Sequence, residues 1–189
     1  ELRRLSAIEP VFGMGIQGRR GTCPLIRGDP SLQVGNPDEL SRLCADRKRK
    51  ALAGGEGGCP FYRQMIETGS EGMEKWCRER LPSVEEFVER CDERGICPYE
   101  LMKELASEAR VITAPFVFFF VPFIRSALLE WMNVDQSRLV VVVDEAHNLP
   151  DFARETRSIT MTERSLDLVE KEIGEHADPE LLNGVSAQD

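Results

Sequence analysis

The sequence is short of positive charge and has no long apolar run. It has 24 Lys and Arg against 33 Asp and Glu, a formal net charge of -9. This balance excludes a protein that coats nucleic acid uniformly, because neutralising phosphates requires clustered cations. The most apolar stretch, residues 111–124, is interrupted by Pro115 and Pro122, whereas a membrane span needs about 20 apolar residues. No secretory signal peptide is recognisable. We therefore expect a globular protein with no membrane segment.

The phosphate-binding signature Gly-x4-Gly-Lys-Ser/Thr is also absent. The glycine-rich residues 54–58 are no substitute, because neither Lys nor Ser/Thr follows them. The chain begins at Glu1 rather than at a Met, and residues 1–6 resemble the end of a helix already under way. We therefore expect a piece of a longer protein that is inactive by itself.

The residues that are present divide the chain into segments with different cores. Residues 98–150 contain 25 large apolar side chains in 53 residues, enough for a core held by ordinary burial. Residues 19–97 contain only 18 large apolar side chains in 79 residues. Burying so few cannot offset the conformational entropy that is lost when the segment becomes ordered. Residues 1–60 carry a net charge of +3. We therefore expect residues 19–97 either to need a cross-link that holds them together, here called a staple, or to be disordered. We expect any polyanion to bind the first third of the chain.

The apolar segment begins with a helix and a strand. Pro98 suits the first position of a helix in which Leu101, Met102 and Leu105 share one face. Residues 110–114 are expected to form a strand. A Phe-rich, helical run follows.

The next elements indicate α/β winding. The Phe-rich run ends near Met132, and Leu139–Val143 is an unbroken aliphatic run, typical of a strand covered on both faces in a parallel sheet. Helix, strand, helix and strand in this order indicate an α/β fold. Residues 159–162 are expected to form a further short strand, and Thr162 to cap a helix.

Acidic residues follow the aliphatic run directly. Asp144 and Glu145 are placed at the carboxyl end of the predicted strand, where open α/β sheets bind ligands. An Asp there can hold the Mg²⁺ of a nucleoside triphosphate, and the next Glu can polarise the attacking water. His147 would report the nucleotide state to neighbouring motifs. The alternative is that these carboxylates merely begin a turn.

Three of the six cysteines are followed by proline: Cys23, Cys59 and Cys97. Proline after cysteine recurs at iron-sulfur ligands, as in the bacterial ferredoxin motif. Ser83 and Glu86 form a capping box for a helix in which Cys91 lies on the apolar face, and Cys77 lies on a weaker apolar stripe. We therefore interpret Cys77 and Cys91 as core residues.

Cys44 is left as the fourth metal ligand, although Leu40 and Cys44 could equally share an apolar helix face. Zinc is the main rival metal, but structural zinc sites usually have C-x2-4-C pairs, which are absent here. Disulfides would suit a secreted protein. Linking Cys23 to Cys97 would close a loop of 75 residues. This closure would lower the conformational entropy of the unfolded chain and so stabilise the fold by about 4 kcal/mol. A metal centre would therefore supply the staple.

These motifs together resemble one family. Asp144-Glu-Ala-His147 matches the DEAH box of superfamily 2 helicases, and the sequence from Val143 to Asn148 resembles its XPD-type branch. Such helicases carry four cluster cysteines before the DEAH box, the last in a Cys-Pro-Tyr context. The order Cys23, Cys44, Cys59, Cys97 is similar. The resemblance covers about residues 10–165.

The resemblance implies a RecA-like parallel-sheet motor domain with an inserted, mainly helical 4Fe-4S domain. Its implied boundaries are residues 1–18 for the first part of motor domain 1, 19–97 for the iron-sulfur domain, 98–158 for the rest of motor domain 1 with the DEAH box, and 159–189 for the start of an arch domain. The implied cluster ligands are Cys23, Cys44, Cys59 and Cys97. The catalytic set is Asp144, Glu145 and His147, with Asp144 and Glu145 at Mg²⁺ and ATP.

The implied function is that of an ATP-dependent, 5′ to 3′ DNA helicase in DNA repair, a monomer whose iron-sulfur domain acts as a DNA-separating wedge. Its partners would be ATP, single-stranded and forked DNA, and proteins of repair complexes. It would be cytoplasmic in a prokaryote and nuclear in a eukaryote. The expected DNA contacts are Arg19, Arg20, Arg47, Lys48, Arg49 and Lys50, although a basic run is often only a solvated face.

Aromatic residues near the cysteines have two interpretations. Phe61, Tyr62 and Tyr99 each follow a Cys-Pro pair and could stack on bases or pack against the metal centre. The rival hypothesis for the whole chain is a non-enzymatic, metal-stapled module that binds nucleic acid or protein.

Overall fold

The fold is described from a computed structural model of the chain. The described residues are 11–34 and 36–158, together with 3, 4, 8, 167, 170 and 171. They are mostly helical and include a two-stranded parallel sheet. Within this part of the chain, no helix combines the length and apolarity that crossing a membrane requires. The chain divides into two compact units, Glu1–Val141 and Val142–Asp189.

The sheet joins two segments that are far apart in sequence. Strand β1 (Gly13–Gly15) pairs in parallel with β2 (Val111–Thr113), and Ile16 N donates to Thr113 O at 2.7 Å. Parallel strands require a crossover connection, and here it includes the whole cysteine-bearing segment. The predicted strand at residues 110–114 is confirmed in its central three residues. A parallel pair fits the expected α/β class, although helices dominate the described residues.

Helices make up most of the crossover: α1 (Arg19–Thr22), α2 (Pro24–Arg27), α3 (Pro30–Gln33), α4 (Pro37–Leu52), α5 (Pro60–Thr68), α6 (Glu71–Arg80), α7 (Val84–Arg94) and α8 (Pro98–Ala106). After β2 come α9 (Val117–Phe120), α10 (Pro122–Met132) and a 3-10 turn, Gln136–Arg138. In the second unit, a 3-10 turn (Ala146–Asn148) precedes α11 (Leu149–Arg157). The predicted Phe-rich helical run is confirmed as α9 and α10.

Helix α8 packs into the core of the first unit with the apolar face that the sequence predicts. Leu101, Met102 and Leu105 are at most 2% exposed and belong to one apolar cluster with Ile16 and Cys91. Because Pro98 occupies the first turn and the apolar residues recur on one face, the helix begins and packs as the sequence indicates.

The capping box of α7 is also confirmed. Ser83 Oγ accepts from Glu86 N at 3.2 Å, and Glu86 Oε2 accepts from Ser83 N at 2.7 Å. The start of this helix lies against the sheet, since a Cβ at Gly15 would overlap the Val84 side chain. A glycine in β1 is therefore what lets α7 approach the sheet so closely.

The prediction of a buried strand over Leu139–Val143 is wrong for the described structure. These residues form no strand, and Val140 and Val142 are 93% and 88% exposed. A strand that is apolar on both faces needs neighbouring strands and covering layers, and these exposures show that the run is uncovered within the part of the chain described. The strand predicted at 159–162 and the helix predicted from Thr162 lie outside the described residues.

Candidate functional site

One pocket, here called the cysteine pocket, is lined by four of the six cysteines: Cys23, Cys44, Cys59 and Cys97. The other two, Cys77 and Cys91, are core residues that are 2% and 0% exposed. All six are free thiols. The fold thus brings together cysteines that are up to 74 positions apart in sequence, and they are the four that were selected as metal ligands.

Each Cys-Pro pair begins a helix. Cys23, Cys59 and Cys97 are the N-caps of α2, α5 and α8, with the proline in the first turn. Proline suits this position because its missing N–H would have no helical partner there. Each cap residue is extended. Backbone N–H groups at the helix start donate hydrogen bonds to the thiols of Cys23 and Cys97 and favour the thiolate, but burial outweighs them.

Cys44 reaches the pocket differently. It lies inside α4, and the side chains of Leu40 and Leu43 line the same pocket. Leu40 and Cys44 therefore share a helix face that is also the pocket face. The two alternatives for Cys44, core packing and ligation, are compatible in this position.

Burial raises the pKa of two of the pocket thiols, Cys97 and Cys23. It raises the pKa of Cys97 to about 12, with Glu100 and the thiols of Cys59 and Cys23 acting in the same direction. Burial also raises the pKa of Cys23, and the thiols of Cys44 and Cys59 add to the effect. The thiol of Cys23 is thus within electrostatic range of the other three pocket thiols. A metal binding here would have to displace their protons.

The rest of the pocket wall is mainly apolar and includes Leu25, Ile26, Leu32, Tyr62 and Tyr99. Tyr99 is 7% exposed, and its ring meets Trp131 edge-on with the centroids 5.8 Å apart. Phe61 packs against the core cluster. In this structure the aromatic residues after the Cys-Pro pairs therefore pack inward, which leaves Tyr99 no open face for a base.

Four thiols lining one pocket are the donor set that structural zinc sites and iron-sulfur clusters share. Among the described residues, no three His, Cys, Asp or Glu side chains are placed to hold one metal ion. A structural zinc draws four thiolates to about 2.3 Å from a single point. In a four-iron cluster each iron takes its own cysteine, so the thiolates are spread around a larger body. Four thiols around an apolar pocket have the chemistry that such a cluster requires.

Three of the four residues in the basic run, residues 47–50, form ion pairs. Lys48 Nζ lies 2.9 Å from Glu100 Oε1, while Arg49 and Lys50 lie 2.6 and 2.7 Å from the two oxygens of Asp46. The side chains of Arg49 and Lys50 are 78% and 50% exposed. Exposed pairs of this kind contribute only about 0 to 1 kcal/mol, so these two cations could exchange Asp46 for a phosphate.

Arg19 is held beside the pocket. Its guanidinium lies 4.2 Å from the centre of the Tyr99 ring, and Nη1 donates to Ser41 Oγ at 3.1 Å. Arg19 and Arg47 both line the cysteine pocket. Through its contact with Tyr99, Arg19 helps to pack α1 against α8.

Glu100 is a site residue that the sequence did not reveal. Burial would raise the pKa of its carboxyl, but Lys48 and Lys103 outweigh that effect and hold the pKa below its usual range. Lys103 Nζ lies 3.0 Å from Glu100 Oε2. A Glu in the first turn of a helix is ordinary, and its partner Lys48 is 52 positions away, so no local signal distinguishes it.

The acidic motif lies in the second unit. Asp144 Oδ1 accepts from Glu145 N at 2.9 Å, and Glu145 Oε2 lies 3.2 Å from His147 Nδ1. The side chains of His147 and Glu145 are 73% and 67% exposed. Glu145 has a left-handed backbone, with φ 51° and ψ 39°. This conformation is unfavourable for a residue other than glycine by about 1 kcal/mol or more. The structure places the three predicted catalytic residues side by side and open to a ligand.

Comparisons with known proteins identify a family and several relatives. The sequence pattern of the DEAD_2 family matches residues 1–166. The rat protein "Regulator of telomere elongation helicase 1" is 28% identical over 166 residues, covering 88% of this chain and 12% of that protein. The "ATP-dependent DNA helicase CHL1" of Vanderwaltozyma polyspora is 28% identical over 102 residues, covering 54% of the chain and 12% of the relative.

A chicken protein, "Fanconi anemia group J protein homolog", is 33% identical over 90 residues, covering 48% of the chain and 7% of that protein. The chain therefore spans between 7% and 12% of the length of these three relatives.

Proposed function

Because the chain belongs to the DEAD_2 family, whose pattern covers residues 1–166, we propose that it is part of an ATP-dependent DNA helicase of the XPD type. Two of the relatives above carry "helicase" in their names, which supports this class over a non-enzymatic module.

The cysteine pocket is the observation that carries the iron-sulfur part of the proposal. We infer that Cys23, Cys44, Cys59 and Cys97 bind a 4Fe-4S cluster, because they line one apolar pocket while the other two cysteines are core residues. Residues 19–97 would then form an inserted domain within the crossover between β1 and β2. The cluster would act as the staple that this weakly apolar segment needs.

The metal content of the chain tests this assignment. Purified under anaerobic conditions and reconstituted, the chain is expected to be brown and to contain about four irons and four acid-labile sulfides. A colourless protein with one tightly bound zinc would contradict the cluster and favour the rival metal. A protein that takes up neither metal would contradict both.

Gly58 gives a prediction about the geometry of the pocket. A Cβ at this position would lie 2.7 Å from Ala51 N and 2.8 Å from Ala51 Cα in α4, so Gly58→Ala must displace either α4 or the adjacent Cys59. We expect the variant to release iron to a chelator about tenfold faster than the unchanged chain. The control is Gly18→Ala, where an added Cβ meets nothing within 4 Å. Equal release rates for the two variants would show that the close approach is unimportant.

The acidic motif fits nucleotide hydrolysis. We propose that Asp144 and Glu145 hold Mg²⁺ and that Glu145 also polarises the attacking water, with His147 linking Glu145 to neighbouring motifs. A phosphate-binding loop elsewhere in the longer protein would complete the ATP site.

The DNA contacts are proposed from charge. Single-stranded and forked DNA would be the substrate, translocated 5′ to 3′, with the inserted domain as the wedge. This part rests on the resemblance of the DEAH box and the order of the cysteines. Arg20, Arg47, Arg49 and Lys50 remain the candidates for phosphate contacts. Lys48 and Arg19 are weaker candidates for phosphate contacts, because Lys48 pairs with Glu100 and Arg19 stacks on Tyr99. We further propose that the full-length protein is a monomer that acts in DNA repair. It would be nuclear in a eukaryote and cytoplasmic in a prokaryote.

A further inference from the structure

A buried carboxylate lies between two lysines beside the cysteine pocket. Glu100 accepts from Lys48 Nζ at 2.9 Å and from Lys103 Nζ at 3.0 Å. The Glu100 side chain is 10% exposed, and those of Lys48 and Lys103 are 23% and 26% exposed. Removing a partner from a buried charge leaves that charge uncompensated. The three residues, here called the ion triad, therefore act as one unit.

The two lysines reach the carboxylate from different elements. Lys103 lies on α8 together with Glu100, so their contact stays within one helix. Lys48 lies on α4, one turn after Cys44, and Glu100 lies in the first turn of α8, three residues after Cys97. The Lys48–Glu100 contact therefore joins the two helices that present Cys44 and Cys97 to the pocket.

Lys48 also touches a third element of the pocket. Its ammonium lies 5.3 Å from the centre of the Tyr62 ring, which is on α5 and follows the Cys59–Pro cap. A cation at this distance is attracted to the face of the ring. One side chain thus connects the segments that carry Cys44, Cys59 and Cys97.

We propose that Lys48 and Glu100 are positioning residues that hold Cys44 in place as a ligand. The inference rests on the proposed cluster. Cys23, Cys59 and Cys97 are placed by Cys-Pro caps, whereas Cys44 sits within a helix that has to be held at the right distance from α8. The Lys48–Glu100 pair supplies that constraint, and Lys48 serves the metal centre instead of a DNA phosphate.

Two matched variants test this role. Lys48→Met and Lys103→Met each remove one ammonium group from Glu100, but only Lys48→Met cuts the link between α4 and α8. After reconstitution of each chain, the loss of the cluster's visible absorbance to a chelator is followed. Lys48→Met is expected to lose the cluster about tenfold faster than the unchanged chain, and Lys103→Met within about twofold of it. Lys48→Arg, which keeps the charge and the reach, is expected to restore slow loss.

The outcomes separate the two proposals. Equal rates for Lys48→Met and Lys103→Met would overturn the positioning role, because charge alone would then explain the effect. Fast loss in Lys48→Arg would overturn it as well. If Lys48→Met fails to fold, Lys48→Gln takes its place, and a rate equal to that of the unchanged chain is equally decisive against the role. An unchanged chain that never takes up a cluster would instead refute the proposed metal centre.

Discussion

Replacing Cys44 with alanine is expected to reduce the iron content of the reconstituted chain from about four per molecule to less than about one. The reason is that Cys44 lines the cysteine pocket, and a cubane with three protein ligands exposes one iron to solvent and chelators. Iron and sulfide analysis, together with the visible spectrum, measures the effect. This is the largest change that we expect from a single substitution in the first unit.

Cys77→Ala and Cys91→Ala are the matched controls. Both remove a sulfur from a core position, since these residues are 2% and 0% exposed, and burial raises the pKa of Cys77 to about 12. Such thiols behave as small apolar side chains. Both variants are expected to keep the cluster and to lose only some stability. Loss of colour in Cys91→Ala with retention in Cys44→Ala would show that the ligand set has been assigned wrongly.

In the full-length protein, Glu145→Gln and Asp144→Asn are each expected to lower the rate of ATP hydrolysis by about a hundredfold or more. Glu145 would lose the charge that polarises the attacking water, and Asp144 would lose its hold on Mg²⁺. The measurement is steady-state phosphate release with and without single-stranded DNA.

Asp151→Asn supplies the comparison for these variants. Asp151 is also an exposed carboxylate of the second unit, 75% exposed and 2.5 Å from Arg154, but it lies in α11 and outside the acidic motif. Its removal is expected to leave hydrolysis unchanged. Turnover in Glu145→Gln equal to that in Asp151→Asn would remove the acidic motif from the mechanism.

The sequence predicted those features that depend on local chemistry. The capping box at Ser83 and Glu86, and the apolar face of the helix after Pro98, follow from spacing within a few residues, and both are confirmed. The repeated Cys-Pro pair selected three cysteines that the structure places at helix N-termini around one pocket. Their role as ligands stays a prediction until the metal is measured.

The features that the sequence could not predict depend on distant partners. Leu139–Val143 has the composition of a buried strand, but burial requires neighbouring strands, and five residues carry no information on whether those are present. In the same way, the basic run shows four cations but not that Lys48 pairs with a carboxylate 52 positions away. Charge patterns in a sequence therefore overstate the number of cations available to a polyanion.

The Cys-Pro caps have a consequence for the lifetime of the protein. On the proposed ligand set, three of the four iron–cysteine bonds are made by the residues that cap α2, α5 and α8. Oxidative destruction of the cluster would release the starts of three helices at once. Local opening of this kind exposes backbone to proteases. On this proposal, damage to the cofactor would lead to removal of the whole polypeptide, so that protein without its cluster would not accumulate in the cell.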